Sequence, residues 1–289
     1  MAYPPEPQCA AILRLLGSVW PNVLAAIERA GRWGADWCRA STPFVSWGED
    51  GEALGHVGVV PVHLRAAGRD LSVAGIHAVC TSPSHRRRGH LRRAMRLALP
   101  FVDARYDTAV LWTDEPDIYR RYGFEVRTEH LFRGEIAPGP RRKVDRPLDP
   151  DRPADLSRLR ELLATRTPVA ELCAAGGPGW HFLIALSMRI GQAGGDLVRE
   201  LPDLGCAVVS RLRGRALVLE DVIGPTIPPL GALVERLAGG AEEVEVLFTP
   251  DRLGAHHLGQ LPRPPPETLM VRGRPLPEGP LALSPMAQT

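Results

Sequence analysis

The chain has 289 residues, 44% of them apolar and 24% charged, with a formal net charge of +2. That composition excludes a disordered or fibrous chain and suits a soluble globular protein with room for two domains. So small a net charge gives no general affinity for nucleic acid. No apolar run approaches the ~20 residues that span a bilayer, so no membrane partner is expected. The start, Met1-Ala2-Tyr3-Pro4-Pro5-Glu6-Pro7, lacks a basic region followed by an apolar one, so no secretory signal is expected. Cys9, Cys38, Cys80, Cys173 and Cys206 are scattered without a C-x-x-C, which argues against a disulfide framework or a zinc site and for a cytoplasmic protein. Lys143 is the single lysine among 35 basic residues, so arginine is the default cation and an arginine-rich helix face carries little information by itself.

Two helical patterns open the chain, Gln8 to Leu16 and Pro21 to Ala30, with Pro21 suited to a first helical position and Gly31 to a stop. Three strand-like runs follow: Phe44 to Trp47, Leu54 to Leu64 and Leu71 to Thr81. Turns at Glu49-Asp50-Gly51-Glu52 and Gly68-Arg69-Asp70 join them into an antiparallel meander. A helix is expected over about Arg88 to Ala104, with Leu91, Met95, Leu97, Ala98 and Phe101 on its apolar stripe. Thr108 to Trp112 reads as a buried strand, which makes a βαβ unit with parallel strands. Asp117 to Arg121 is a short helix stopped by Gly123, and Phe124 to Glu135 is a final strand.

Pro138 to Pro153 holds five prolines and clustered charge, the composition of a linker. Beyond it, Ala154 to Thr165 and Trp180 to Ile190 read as helices, and Cys206 to Arg211 and Ala216 to Val222 as a hairpin about Arg213-Gly214. Leu230 to Leu237 reads as a helix, with strands at Val244 to Phe248 and Thr268 to Val271. The fold class is α/β (α+β). A mixed, mostly antiparallel sheet is expected in residues 1–137, a Pro-rich linker in 138–153, and a second, smaller α/β module with a Pro-rich tail in 154–289.

The most informative stretch is Ser82-Pro83-Ser84-His85-Arg86-Arg87-Arg88-Gly89-His90-Leu91, where a strand gives way to the long helix. Such a junction points unpaired backbone N–H groups at one spot, backed by the positive end of the helix dipole, and so suits a phosphate. Gly89 lets the backbone approach a ligand closely, and three arginines add charge.

Arg86-Arg87-Arg88-Gly89-His90-Leu91 resembles the R-x-x-G-x-G/A box of the GNAT superfamily of N-acetyltransferases, with Leu91 in place of the usual Gly or Ala. Val79 to Arg92, followed by Ile118-Tyr119-Arg120-Arg121-Tyr122-Gly123-Phe124, is similar to the enhanced-intracellular-survival (Eis-like) branch, over roughly residues 8 to 136. The resemblance implies a GNAT fold, followed by a degenerate GNAT-like module without a cofactor loop, and acetyl-CoA as acetyl donor with no metal. It also implies a homo-oligomer. The reaction it implies is transfer to a primary amine of a small molecule or peptide, by direct attack in a ternary complex. Val79 and Thr81, with Cys80 between them, would bond the pantetheine arm. Arg87, Arg88, Gly89, His90 and Leu91, flanked by Arg86 and Arg92, would hold the pyrophosphate. Asp114 and Glu115 would lie near the distal pantetheine. Tyr119 would be the general acid, and Thr289 would offer a C-terminal carboxylate as base. In the second module, Gly224-Pro225-Thr226-Ile227-Pro228-Pro229 would spoil a row of N–H donors, since proline has none.

Simpler readings stand beside these. Trp33, Asp36, Trp37 and Trp47 suit an acceptor pocket for a cationic amine, or the tryptophans are core. His77 faces the substrate slot as a proton relay, or is a hydrogen-bonded core histidine. Glu49, Asp50 and Glu52 are turn chemistry, or one of them meets the substrate ammonium, and His256-His257 lacks a partner at metal spacing. The alternative function is a non-catalytic coenzyme A-binding regulatory or assembly protein. A nucleic-acid surface along Arg86 to Arg96 lacks interleaved aromatics.

Overall fold

The computed structural model describes residues 3–136, 145–177, 179–193, 197–264 and 267–288. The chain begins with α1 (Gln8–Val19), α2 (Val23–Arg32) and the single turn α3 (Trp37–Ala40). Ala11, Ile12, Leu15 and Leu16 recur at helical spacing and bury one face of α1. α2 ends later than the expected stop at Gly31. Gly34 takes the left-handed position (φ 76), with Gly34 N–H donating to Gly31 and Ala35 N–H to Ala30, the paired bonds of a Schellman cap. Asp36 then caps α3 by accepting from Arg39 N–H at 3.1 Å.

The meander follows as β1 (Thr42–Trp47), β2 (Ala53–Ala66) and β3 (Arg69–Thr81), all antiparallel. α4 (His90–Asp103) crosses over to β4 (Thr108–Thr113), which runs parallel to β3. On α4 the inward residues are Ala94, Met95, Ala98 and Val102, while Leu97 is 54% exposed. Small residues face the sheet here because the approach is close. A Cβ on Gly55 of β2 would lie 3.0 Å from the backbone of His90.

After α5 (Pro116–Arg120), the expected single strand Phe124 to Glu135 is two strands in two different sheets. β5 (Glu125–Val126) stays with the first sheet and β6 (His130–Glu135) joins the second. The crossing is anchored by charge. The Arg127 guanidinium donates to the carbonyls of Pro277 and Gly279, and the buried Glu129 carboxylate accepts from Trp112 Nε1 and Leu283 N–H, each at 2.9 Å.

The later elements are β7 (Arg146–Pro147), α6 (Pro153–Ala164), β8 (Ala174–Ala175), α7 (Trp180–Ala193), β9 (Val198–Leu201), β10 (Cys206–Arg213) and β11 (Ala216–Ile223). Then come α8 (Leu230–Leu237), β12 (Glu243–Val246), β13 (Gly259–Pro262) and β14 (Thr268–Gly273). Among the described residues the first sheet runs β1-β2-β3-β4-β14-β5, with β8 on β2, and the second runs β13-β6-β12-β11-β10-β9-β7. Each sheet has seven strands, so the second is not the smaller one. Each also takes strands from the other part of the chain: β8 and β14 join the first sheet, and β6 joins the second. β14 lies between β4 and β5, and β6 lies between β12 and β13. A boundary at 137–153 therefore does not separate the sheets. Part of that stretch, 137–144, lies outside the described residues, and its end is structural: β7 pairs with β9 and Leu148 is buried.

The cores are also shared. Ala30, Trp33 and Ala35 from the N-terminal helices pack with Leu159, Leu162, Leu183 and Leu186 of α6 and α7. Among the described residues no helix is long and apolar enough to cross a membrane.

Candidate active site

Two strands that part company make the site. β3 and β4 pair from Val73 opposite Thr108 to Gly75 opposite Val110, and there the pairing stops. β3 then carries a bulge against β2, with Ala78 at φ 49, and leads away from β4. A single tight turn, Pro83–His85, follows β3, and the chain enters α4 through Arg87 (φ 63) and Gly89 (φ 83). The left-handed Gly89 leads directly into the right-handed first turn of α4, a change of hand that turns successive N–H groups to one concave side, an anion-binding arrangement. Gly89 occupies the N-cap of α4 and no side chain caps it. The first-turn N–H groups thus have no side-chain partner, and the helix dipole backs them. Arg86, Arg87, Arg88 and Arg92 form no ion pair among the described residues.

A cleft of about 850 Å³ runs from that corner along the parted strands. Val79, Cys80 and Thr81 line one wall, Arg86 through Arg92 the phosphate-like end, and Thr113, Asp114 and Glu115 the wall beyond β4. Tyr119 on α5 closes it, with Ile118, Arg121, Tyr122 and, from α1, Val19. Every residue expected at the coenzyme, together with Tyr119, lies on this one surface. Tyr119 is largely buried against Phe124, and burial, then the Glu115 and Asp114 carboxylates, push its phenol up to about 12. The phenol therefore stays protonated throughout the neutral range. His90 accepts at Nδ1 from Ser46 Oγ (3.0 Å) and Arg93 (3.3 Å). Desolvation and the adjacent Arg93 hold its imidazole below the usual range.

The expected acceptor residues are elsewhere. Trp33 is 1% exposed in the core and donates from Nε1 to Asp151 at 2.9 Å, and Asp36 is a helix cap. Their aromatic and acidic character serves packing and capping. Trp37 packs edge-on against His77, ring centroids 4.7 Å apart, and His77 Nε2 lies 2.8 Å from Ser41 Oγ. His77 lies flat over Gly58, where a Cβ would come within 2.4 Å of its ring. Neither Trp37 nor His77 lines the cleft. Thr289 lies outside the described residues. Val19, Thr113, Ile118, Arg121 and Tyr122 were not expected at the cleft. Tyr122 reads as packing beside Phe124, and nothing local marks Val19.

The second sheet repeats the parting of strands without the opening. β11 and β12 pair in parallel as far as Leu219 opposite Val246. The chain's own Ala282–Ser284 then bridges them: Ala282 exchanges hydrogen bonds with Thr249, and Ser284 Oγ donates to the Glu220 carbonyl. Gly224 and Pro225 carbonyls accept from Thr167, and Pro229 precedes α8.

Residues 8–127, the segment that carries every wall of the cleft, match the family model described as an acetyltransferase (GNAT) domain. An uncharacterized N-acetyltransferase of Streptomyces coelicolor is 31% identical over 176 residues, which cover 57% of this chain and only 41% of that protein. Two solved structures share the fold. One is a conserved protein of unknown function from Enterococcus faecalis V583 (TM-score 0.61, 12% identity, 94% of this chain and 71% of that one). The other is Eis1 from Mycobacterium abscessus (TM-score 0.53, 16% identity, 88% and 70%).

Proposed function

We propose that the chain is an N-acetyltransferase that takes acetyl-CoA as donor and a primary amine of a small molecule or peptide as acceptor, by direct attack in a ternary complex. The observation that carries this reading is the continuity of one cleft, from the uncapped start of α4 along the parted β3 and β4 to Tyr119. Its volume lies in the range of ligand-sized sites. When bound, the coenzyme supplies a thioester, an activated acetyl group with a thiolate leaving group.

The N–H groups about Gly89 and the free arginines would hold the pyrophosphate, and the edge of β3 over Val79–Thr81 that β4 leaves open would bond the pantetheine amides. A β3 N–H aimed at the thioester oxygen would stabilise the charge that develops there as the amine attacks. Tyr119 would protonate the departing thiolate. Burial keeps its phenol protonated at neutral pH, the form a general acid needs.

Calorimetric titration with acetyl-CoA tests the reading, and an absence of binding below the millimolar range would sink it. Tyr119→Phe is expected to lower turnover by roughly 10²–10⁴-fold while coenzyme affinity stays nearly constant. Equal loss of both would mark Tyr119 as structural. Tight binding without acetylation of any amine in a broad panel would favour a regulatory coenzyme-binding protein.

A further inference from the structure

The bulge in β3 takes a carbonyl out of the β2–β3 ladder and gives it to a side chain. His56 pairs with Cys80 and Gly58 with His77, so three steps along β3 span two along β2, with Ala78 in the extra position. The Ala78 carbonyl accepts instead from His56 Nδ1 at 2.7 Å. A buried carbonyl removed from a ladder needs such a donor.

Behind His56 the hydrogen bonds run in one direction only. Trp37 Nε1 can only donate, and it donates to Tyr3 Oη at 3.1 Å. Tyr3 Oη lies 3.3 Å from His56 Nε2. A carbonyl can only accept, so His56 carries its proton on Nδ1, and its Nε2 accepts the tyrosine's. Burial holds the imidazole down to about 4, so the sequence of donors is intact at neutral pH. His56 is wholly buried, and none of the three side chains lines the cleft. Val79 and Cys80, which follow Ala78 in the chain, do line it. What the network touches is the back of the cleft wall.

We infer that His56, locked in one tautomer by Tyr3 and Trp37, is a positioning residue: it fixes the Ala78 bulge and, through it, the direction of the Val79–Thr81 backbone N–H groups that meet the thioester. The consequence at the thioester rests on the acetyl-CoA reading; the hold on the bulge does not.

Two variants of equal polarity separate this from a general packing role. In His56→Asn the side-chain amide takes the place of Nδ1–H and still reaches the Ala78 carbonyl. In His56→Gln the amide takes the place of Nε2 instead. In the ligand-free protein, hydrogen exchange at residues 78–81 is expected to rise about tenfold in His56→Gln and to stay near wild type in His56→Asn. With carbonyl-labelled acetyl-CoA followed by carbon NMR, the bound carbonyl is expected to move downfield in wild type and His56→Asn. It should stay near its free position in His56→Gln. Acetyl-CoA affinity should change by less than about threefold, since the loop before α4 is untouched. Glutamine behaving as wild type in either measurement, or asparagine failing as glutamine does, overturns the inference. Wild-type protein that binds no acetyl-CoA overturns the functional reading instead, and the exchange measurement then still decides the role of His56.

Discussion

At the scale of single residues, the loop that opens α4 at one end of the cleft depends on backbone conformation, at Arg87 and Gly89. Gly89 holds φ 83, and a Cβ there would meet little but the end of Arg92, so the demand for glycine is conformational and not steric. Gly89→Ala should cost about 1–2 kcal/mol in the left-handed conformation. If the loop relaxes to escape that strain, the N–H groups swing off the phosphate, and coenzyme affinity should fall by about tenfold or more. Circular dichroism should show the fold unchanged, and unchanged affinity by titration would refute the requirement. The sequence displayed this residue plainly because a glycine before a helical stripe, after a strand, has few other uses. It gave no comparable sign of Ala78 or Arg87, which hold positive φ values of 49 and 63 with side chains that do not demand them. The surrounding strand pairing and loop impose those conformations.

At the scale of elements, β1 to β4 and α4 were legible because each writes its own period into the chain: alternation in the strands, a three-to-four spacing in the helix. The partners of β6 and β14 were not, because a strand's sequence reports which face is buried and not which neighbour it bonds. Leu131 and Phe132 are both buried although adjacent, a sign that both faces of β6 are covered, which fits an interior strand in the second sheet. The exchange has a direct test. A fragment of residues 1–137 lacks β14 and so leaves facing edges of β4 and β5 unpaired. It is expected to aggregate or fail to bind acetyl-CoA, and co-expression with residues 138–289 should restore soluble, coenzyme-binding protein. A soluble fragment that binds coenzyme alone would show that β14 is dispensable. The acceptor residues were misplaced for a related reason: tryptophan and histidine look alike in sequence whether they line a pocket or fill a core.

At the scale of the whole molecule, the shared cores and exchanged strands predict that the chain loses structure as one unit. Three histidines bear on this. Desolvation holds His56 and His181 down to about 4 and His77 to about 3, and His181 of α7 lies close enough to His77 to act on it. Each is neutral when folded, while in the unfolded chain each titrates near 6.5. Their contribution is fully present above about pH 6.5 and is lost as the pH falls below that, by up to about 1.4 kcal/mol per pH unit for each. Burial pushes the Glu129 and Asp221 carboxyls up, which acts in the opposite sense but from nearer the carboxylate range. Urea midpoints measured from pH 7.5 to 5 should fall in a single transition seen alike by tryptophan fluorescence and circular dichroism. A midpoint independent of pH over that interval would remove the histidines from the account.

The exchanged strands also set a timetable. On the ribosome, the chain through β5 emerges first, but the strand that seats between β4 and β5 is made only after the whole second sheet has been synthesised. At synthesis rates of about 5–20 residues per second, that interval is roughly 7 to 30 seconds. Until then the half that carries the cleft waits with an open seam, so a truncated or stalled nascent chain would carry the loop and the tyrosine without the sheet that holds them apart.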